Sequence, residues 1–181
     1  MGEPRHSASL RFGILTVSDR SARGERADAA GPALVGAIQE QGWQIIQTGI
    51  VPDEREILEK TLAAWCDTQQ MDILLTTGGT GFSRRDVTPE ATQAIIERNA
   101  PGLAEAMRAS SLQVTPHAML SRAIAGIRRQ TLIVNLPGSP RGALENLAVI
   151  LPVLPHAAEL MREDPHAEAG HQRPEKLNDS Q

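Results

Sequence analysis

Three glycines in four positions, Gly78, Gly79 and Gly81, close an apolar run and are followed at once by Arg84, Arg85 and Asp86. Glycine tolerates positive φ and carries no Cβ, so such a loop lets several backbone N–H groups converge on one anion. Thr77 and Thr80 add hydroxyls, the arginines add forked cations, and Asp86 adds a hard oxygen ligand. This is chemistry suited to a phosphate-bearing ligand. It is not a P-loop, because no Lys-Ser/Thr pair follows the glycines. The chain has only two lysines, Lys60 and Lys176, so arginine must supply nearly all cationic contacts. A tight strand-to-helix turn is the plainer alternative, and the adjoining charges favour the anion site over it.

The elements around this loop must position it. Asp72-Ile73-Leu74-Leu75-Thr76 is apolar after its first residue and reads as a strand buried on both faces. Thr88-Pro89-Glu90 reads as a helix entry, with Thr88 as N-cap and proline at the first helical position. Further strands are expected at 11–17, 43–51 and 131–135. The runs 123–127 and 131–135 flank Arg128-Arg129-Gln130 as a hairpin or a connection into another strand. Helices are expected from Gly31 to near Gly42, after Pro52-Asp53-Glu54, over 89–98, over 102–112, and over 141–160 with an interruption at Pro152 and Pro155. Strands alternating with helices imply a three-layer α/β/α fold on a mostly parallel sheet. Ligands then sit beyond the carboxyl ends of the strands. The polar loops at 18–20, 52–54, 77–86 and 137–139 should therefore gather on one edge. We expect a flexible leader at 1–9, one domain at 10–162 and a polar tail at 163–181.

Composition removes several function classes. The 181 residues suit one domain, and 40% hydrophobic content suffices for a core. Aromatics are 2%, so the core is aliphatic and base stacking is not the binding mode. A net charge of -4 argues against general affinity for nucleic acid or anionic membrane. The single Cys66 forms no internal disulfide and reads as a buried structural thiol. No apolar stretch suggests a membrane span and no signal peptide is visible, so a cytoplasmic protein is expected. Of the five histidines none is paired at zinc-like spacing, and all read as solvated or structural, His117 alone being worth attention.

Several motifs in order carry a resemblance. Leu15-Thr16-Val17-Ser18-Asp19-Arg20, Val51-Pro52-Asp53-Glu54, Thr77-Gly78-Gly79-Thr80-Gly81, Arg85-Asp86-Val87-Thr88-Pro89 and Asn135-Leu136-Pro137-Gly138-Ser139-Pro140 together resemble the MoaB/Mog family of molybdenum cofactor biosynthesis. The similarity runs from about residue 11 to 160. It implies the three-layer subunit, usually a homotrimer, and Mg²⁺-dependent transfer of AMP from ATP to the terminal phosphate of molybdopterin. A molybdate-insertion protein would take the product. By the same resemblance Thr77 to Gly81, with Asn135, Pro137 and Gly138, bind nucleotide and pterin phosphates. Asp53 and Asp86 are the acids needed for activity and are candidate Mg²⁺ ligands. Arg85 is an anion contact, and Ser111, Ser121 and Arg122 are pterin-side candidates. Ser139 departs from the amide residue common in adenylating relatives, and a hydroxyl offers fewer hydrogen bonds there.

Each acid also has a plainer reading. Asp53 can be the N-cap of the following helix, Asp86 a partner of Arg84 or Arg85, and Asp19 a turn cap. Three functions follow in order of preference: a nucleotidyltransferase, a molybdopterin carrier or regulator without turnover, and a scaffold that kept only the fold. The intact acids at 53 and 86 favour the first.

Overall fold

A computed structural model describes residues 9–163. The expected leader and tail lie outside the described residues, apart from their inner ends at 9 and 163. In chain order the elements are β1 (Arg11–Val17), α1 (Asp19–Ala22), α2 (Ala30–Glu40), β2 (Gln44–Val51), α3 (Arg55–Asp67), β3 (Ile73–Thr77), α4 (Thr88–Ile95), β4 (Arg98–Asn99) and α5 (Pro101–Leu112). A 3-10 turn (Pro116–Leu120) leads to β5 (Ala125–Arg128), β6 (Thr131–Leu136) and α6 (Pro140–Ile150). A second 3-10 turn (Leu151–Val153) joins α7 (Leu154–Met161).

The six strands form one sheet in the order β2-β1-β3-β6-β5-β4. Four are parallel, and β5 and β4 add an antiparallel edge. The central strands β3 and β6 are buried along their whole length, which is why their sequences run apolar without alternation. Helices α2, α5, α6 and α7 cover one face through Leu34, Ile38, Met107, Leu147, Ile150 and Leu154. Helices α3 and α4 cover the other through Leu58, Leu62, Cys66 and Ala91. Each fully buried aliphatic side chain contributes roughly 1.5–3 kcal/mol, so this aliphatic double core carries the fold despite the scarcity of aromatics.

The expected three-layer architecture is present, and its local boundaries differ in instructive ways. Val87, not Thr88, is the N-cap of α4, and the Thr88 hydroxyl instead donates to the buried Gly78 carbonyl at 2.8 Å. Helix α4 stops at Ile95, and the residues that follow enter the sheet edge as β4, where Arg98 pairs with Ile127. The helix expected over 141–160 is two helices with a 3-10 turn at Pro152. Taken as one 22-residue run, Pro140–Met161 is long and apolar enough to cross a membrane, contrary to the sequence expectation. Its apolar positions Ala143, Leu147, Ile150, Leu154 and Ala158 are buried in the core, as befits a covering helix layer.

Chain order reverses between β1 and β3, since β2 lies on one side of β1 and β3 on the other. Loops leaving neighbouring parallel strands diverge at such a point and open a crevice. The loop after β1 and the glycine loop after β3 flank it.

Candidate active site

The crevice is a polar cleft of about 570 Å³ lined from all four expected loops. Asp19 and Arg20 come from the loop after β1, and Asp53 from the loop after β2. Thr77, Gly78, Gly79, Arg85 and Asp86 follow β3, and Gly138 and Ser139 follow β6.

Glycine is required here for space as well as conformation. Gly78 has φ +106°, and a Cβ there would strike the Val17 carbonyl oxygen. Gly79 has φ +63°, and its Cβ would strike Thr88 Oγ1 and come within 3.1 Å of Asp53 Oδ1. A Cβ on Gly81 would lie 2.9 Å from Asp86 Oδ2. The glycines thus make room for the two acids. The loop is then tied down: Thr77 Oγ1 donates to the Pro137 carbonyl at 2.7 Å, and the Gly78 amide donates to the Leu136 carbonyl at 3.2 Å.

Asp53 does not cap α3, whose N-cap is Glu54. It exchanges bonds with Asp19 instead. The Asp19 amide donates to Asp53 Oδ2 at 2.8 Å, and the Asp53 amide donates to Asp19 Oδ1 at 3.1 Å. Arg85 grips Asp19, not Asp86, through Nε and Nη2 at 3.0 and 2.8 Å. That guanidinium holds the Asp19 carboxyl below its usual range. Burial pushes the Asp53 carboxyl up, and the neighbouring charges of Asp19 and Asp86 push it further in the same direction. Asp86 Oδ2 accepts from the Ser83 amide at 2.9 Å, closing the exposed tip of the loop.

A second cleft of about 340 Å³ adjoins the first. Thr80, Gly81, Ser111, Ser121, Pro137 and Ser139 line it. Ser139 lines both clefts, so the two meet there. Its hydroxyl accepts from the Gly142 amide at 3.1 Å and caps α6.

Two sequence candidates line neither cleft. Asn135 is fully buried and donates to Thr76 Oγ1 and Thr92 Oγ1, both at 2.9 Å. Arg122 reaches the backbone of the glycine loop and Glu90. Conversely, the sequence reading passed over Asp28, which lines the polar cleft. Asp28 accepts from Thr16 Oγ1 at 2.6 Å and from the amides of Ala30 and Gly31, at 3.0 and 3.1 Å. An Asp three residues before a helix-entry glycine was the available signal. Glu145 and Asn146, on α6, line the second cleft together with His117. Their helical spacing gave no hint of it. Cys66 is buried, and desolvation raises its thiol to about 12, which suits a structural role. Among the described residues no three His, Cys, Asp or Glu side chains form a metal cage.

A family profile described as a probable molybdopterin binding domain matches residues 13–156. The chain belongs to this family. It is 41% identical over 155 residues to molybdopterin adenylyltransferase of Helicobacter pylori (strain ATCC 700392 / 26695), covering 84% of this chain and 88% of that protein. It is 45% identical over 163 residues to gephyrin of Dictyostelium discoideum, matching 84% of this chain and only 23% of that longer protein. Among solved structures, the molybdopterin biosynthesis enzyme MoaB of Thermus thermophilus superposes with a TM-score of 0.81 at 49% identity, covering 86% of this chain and 98% of that one. The sheet and both helix layers described above are therefore those of a molybdopterin-binding family.

Proposed function

We propose that this chain is a molybdopterin adenylyltransferase, a nucleotidyltransferase that moves AMP from ATP to the terminal phosphate of molybdopterin and releases pyrophosphate. One observation carries the reading. A cleft lined by aspartates and arginines at the sheet's switch point abuts a second cleft, and Ser139 lines both. That arrangement suits two large anionic substrates whose reacting groups must meet.

In this reading the triphosphate occupies the polar cleft and molybdopterin the other. Among the described residues the amides of Gly79, Thr80, Gly138 and Ser139 have no protein acceptor, which leaves them available to phosphate oxygens. Ser111 and Ser121 contribute hydroxyls on the molybdopterin side. A phosphate oxygen of molybdopterin attacks the α-phosphorus of ATP. The bond to the α,β-bridging oxygen breaks, and pyrophosphate leaves with that electron pair. The attacking phosphate is already ionised at neutral pH, so no general base is required. Positioning and charge stabilisation carry the rate.

Asp53 and Asp86 suit Mg²⁺. They repel each other across the glycine loop, and a hard cation favours one or two carboxylates plus phosphate oxygens. Mg²⁺ bound by these two carboxylates would supply positive charge to offset that of the triphosphate. Asp53 and Asp86 orient the nucleotide, and Arg85 supplies a cation at the same rim. A homotrimer in the cytoplasm, handing its product to a molybdate-insertion protein, completes the reading.

The test is pyrophosphate release by purified protein with ATP, Mg²⁺ and fresh molybdopterin, the product being identified by mass. Molybdopterin-dependent release with an AMP adduct is expected. Tight molybdopterin binding with no release would make the chain a carrier or regulator instead.

A further inference from the structure

Outside both clefts lies the outer strap of the glycine loop, where Arg122 makes four contacts. Its amide donates to the Thr80 carbonyl at 2.9 Å. Its Nε donates to the Gly81 carbonyl at 2.7 Å, and its Nη2 to the Asp86 carbonyl at 2.6 Å. Its Nη1 pairs with Glu90 on α4. Gly81 and Asp86 are the two ends of the exposed excursion 82–85. One rigid guanidinium therefore pins both ends of that excursion to a helix of the core layer. Inside the excursion Asp86 Oδ2 is fixed by the Ser83 amide at 2.9 Å, and the Asp86 amide donates back to the Ser83 carbonyl at 3.0 Å.

We infer that Arg122 is a positioning residue that sets the direction of the Asp86 carboxylate, and not a contact for the pterin. The inference rests on the adenylyltransferase reading for its link to rate. The neighbouring Ser121 lines the second cleft whereas Arg122 lines neither, so adjacent residues serve different ends. The requirement is for a fork. Two carbonyls and one carboxylate are met by donors in a fixed plane, and a lysine ammonium cannot span all three. Backbone displacement of about 1 Å at a reacting site is enough to cost on the order of 10²-fold in rate.

The experiment compares Arg122→Lys and Arg122→Gln with the wild type in four readouts. These are molybdopterin affinity by fluorescence, kcat and KM for ATP in AMP transfer, amide hydrogen exchange over 81–86, and thermal unfolding. Both variants are expected to keep molybdopterin affinity within about 2-fold while kcat falls on the order of 10²-fold. The Ser83 and Asp86 amides should exchange faster in both. Lysine should not rescue, although it restores the charge. Rescue by lysine, or a molybdopterin affinity that falls in step with kcat/KM, would instead make Arg122 a ligand contact. Unchanged exchange over 81–86 would overturn the positioning role outright. Should the wild type itself lack turnover, the exchange readout still decides whether Arg122 orders Asp86, and only the proposed activity fails. If neither variant folds, Glu90→Gln, which loosens the anchor and keeps the fork, should show the same exchange increase to a smaller degree. No increase there would count equally against the inference.

Discussion

Asp53 sits where charge is disfavoured until something cationic arrives. Burial and the neighbouring Asp19 and Asp86 raise its carboxyl above the ordinary value. The folded state thus holds that proton more tightly than the unfolded chain. The associated stability is present below the ordinary carboxylate range and is lost as pH rises through the raised value. At neutral pH the ionised group works against folding. Asp53→Asn keeps an oxygen to accept the Asp19 amide, so its melting temperature at pH 7 should exceed the wild type's, with the gap closing toward pH 4. Its AMP transfer should fall by on the order of 10²-fold or more. A melting temperature below the wild type's at pH 7 would contradict this account of Asp53. That Asp53 and Asp86 would meet at one cleft was legible from the strand-end loops, and so was the positive φ of Gly78 and Gly79. The destinations of Asn135 and Arg122 were not. The resemblance made Asn135 a ligand candidate, whereas its place near the end of β6 carries it into the core, between Thr76 and Thr92. Which carbonyl a long guanidinium reaches depends on contacts 36 and 41 residues away.

At the scale of elements, the central strands were readable because continuous apolar runs are distinctive, and of the two connections left open around Arg128-Arg129-Gln130 the hairpin is the one formed. Helix ends were less readable because tertiary pairing decides them: residues 96–98 leave the expected helix, and 98–99 pair with β5. Nor did the pattern disclose Asp72, which precedes β3 and is 2% exposed. It binds Arg11 Nε and Nη2 at 3.2 and 2.9 Å, and Arg162 Nε at 3.0 Å, tying β1, β3 and the end of α7 together. Burial alone would raise this carboxyl, but hydrogen bonds from the two arginines outweigh it and the value is lowered. Its stabilisation is therefore full above the ordinary carboxylate range and is lost as pH falls through the depressed folded value. Asp72→Asn leaves two guanidinium groups without their counter-charge and should cost about 3 kcal/mol in urea unfolding at pH 7. The difference from wild type should shrink in acid. A difference that persists at pH 2 would assign the loss to packing instead. The glycine loop allows a matching test. Gly79→Ala forces a positive-φ Cβ against Thr88 and Asp53, so it should cost roughly 1–3 kcal/mol. It should also weaken nucleotide binding by calorimetry. Unchanged stability and binding would mean that the loop yields freely.

For the whole molecule, the consequential feature is that one sheet edge supports two clefts of different character. The switch between β1 and β3 opens the charged, polar one, and the surface between α5, the first 3-10 turn and α6 forms the other. Parallel-sheet logic made the first foreseeable, because four strand-end loops had to converge. The second was foreseeable only through Ser111 and Ser121, since helix packing decides what α5 and α6 enclose. If the clefts hold different substrates, filling one should spare the other. Ser111, on the last turn of α5, accepts from Asn146 Nδ2 at 3.2 Å and faces the second cleft. Ser111→Trp should fill much of that space. Molybdopterin binding should then fall by at least on the order of 10-fold, a shift of about 1.4 kcal/mol. Binding of a non-hydrolysable ATP analogue with Mg²⁺, measured by calorimetry on the same variant, should stay within about 2-fold of wild type, since Ser111 lines the second cleft and not the first. Parallel loss of both ligands would mean a single shared site and would remove the two-cleft basis of the adenylyltransferase reading. Loss of molybdopterin alone would assign the second cleft to the pterin and leave the polar cleft to the triphosphate, with Ser139 at the point of transfer.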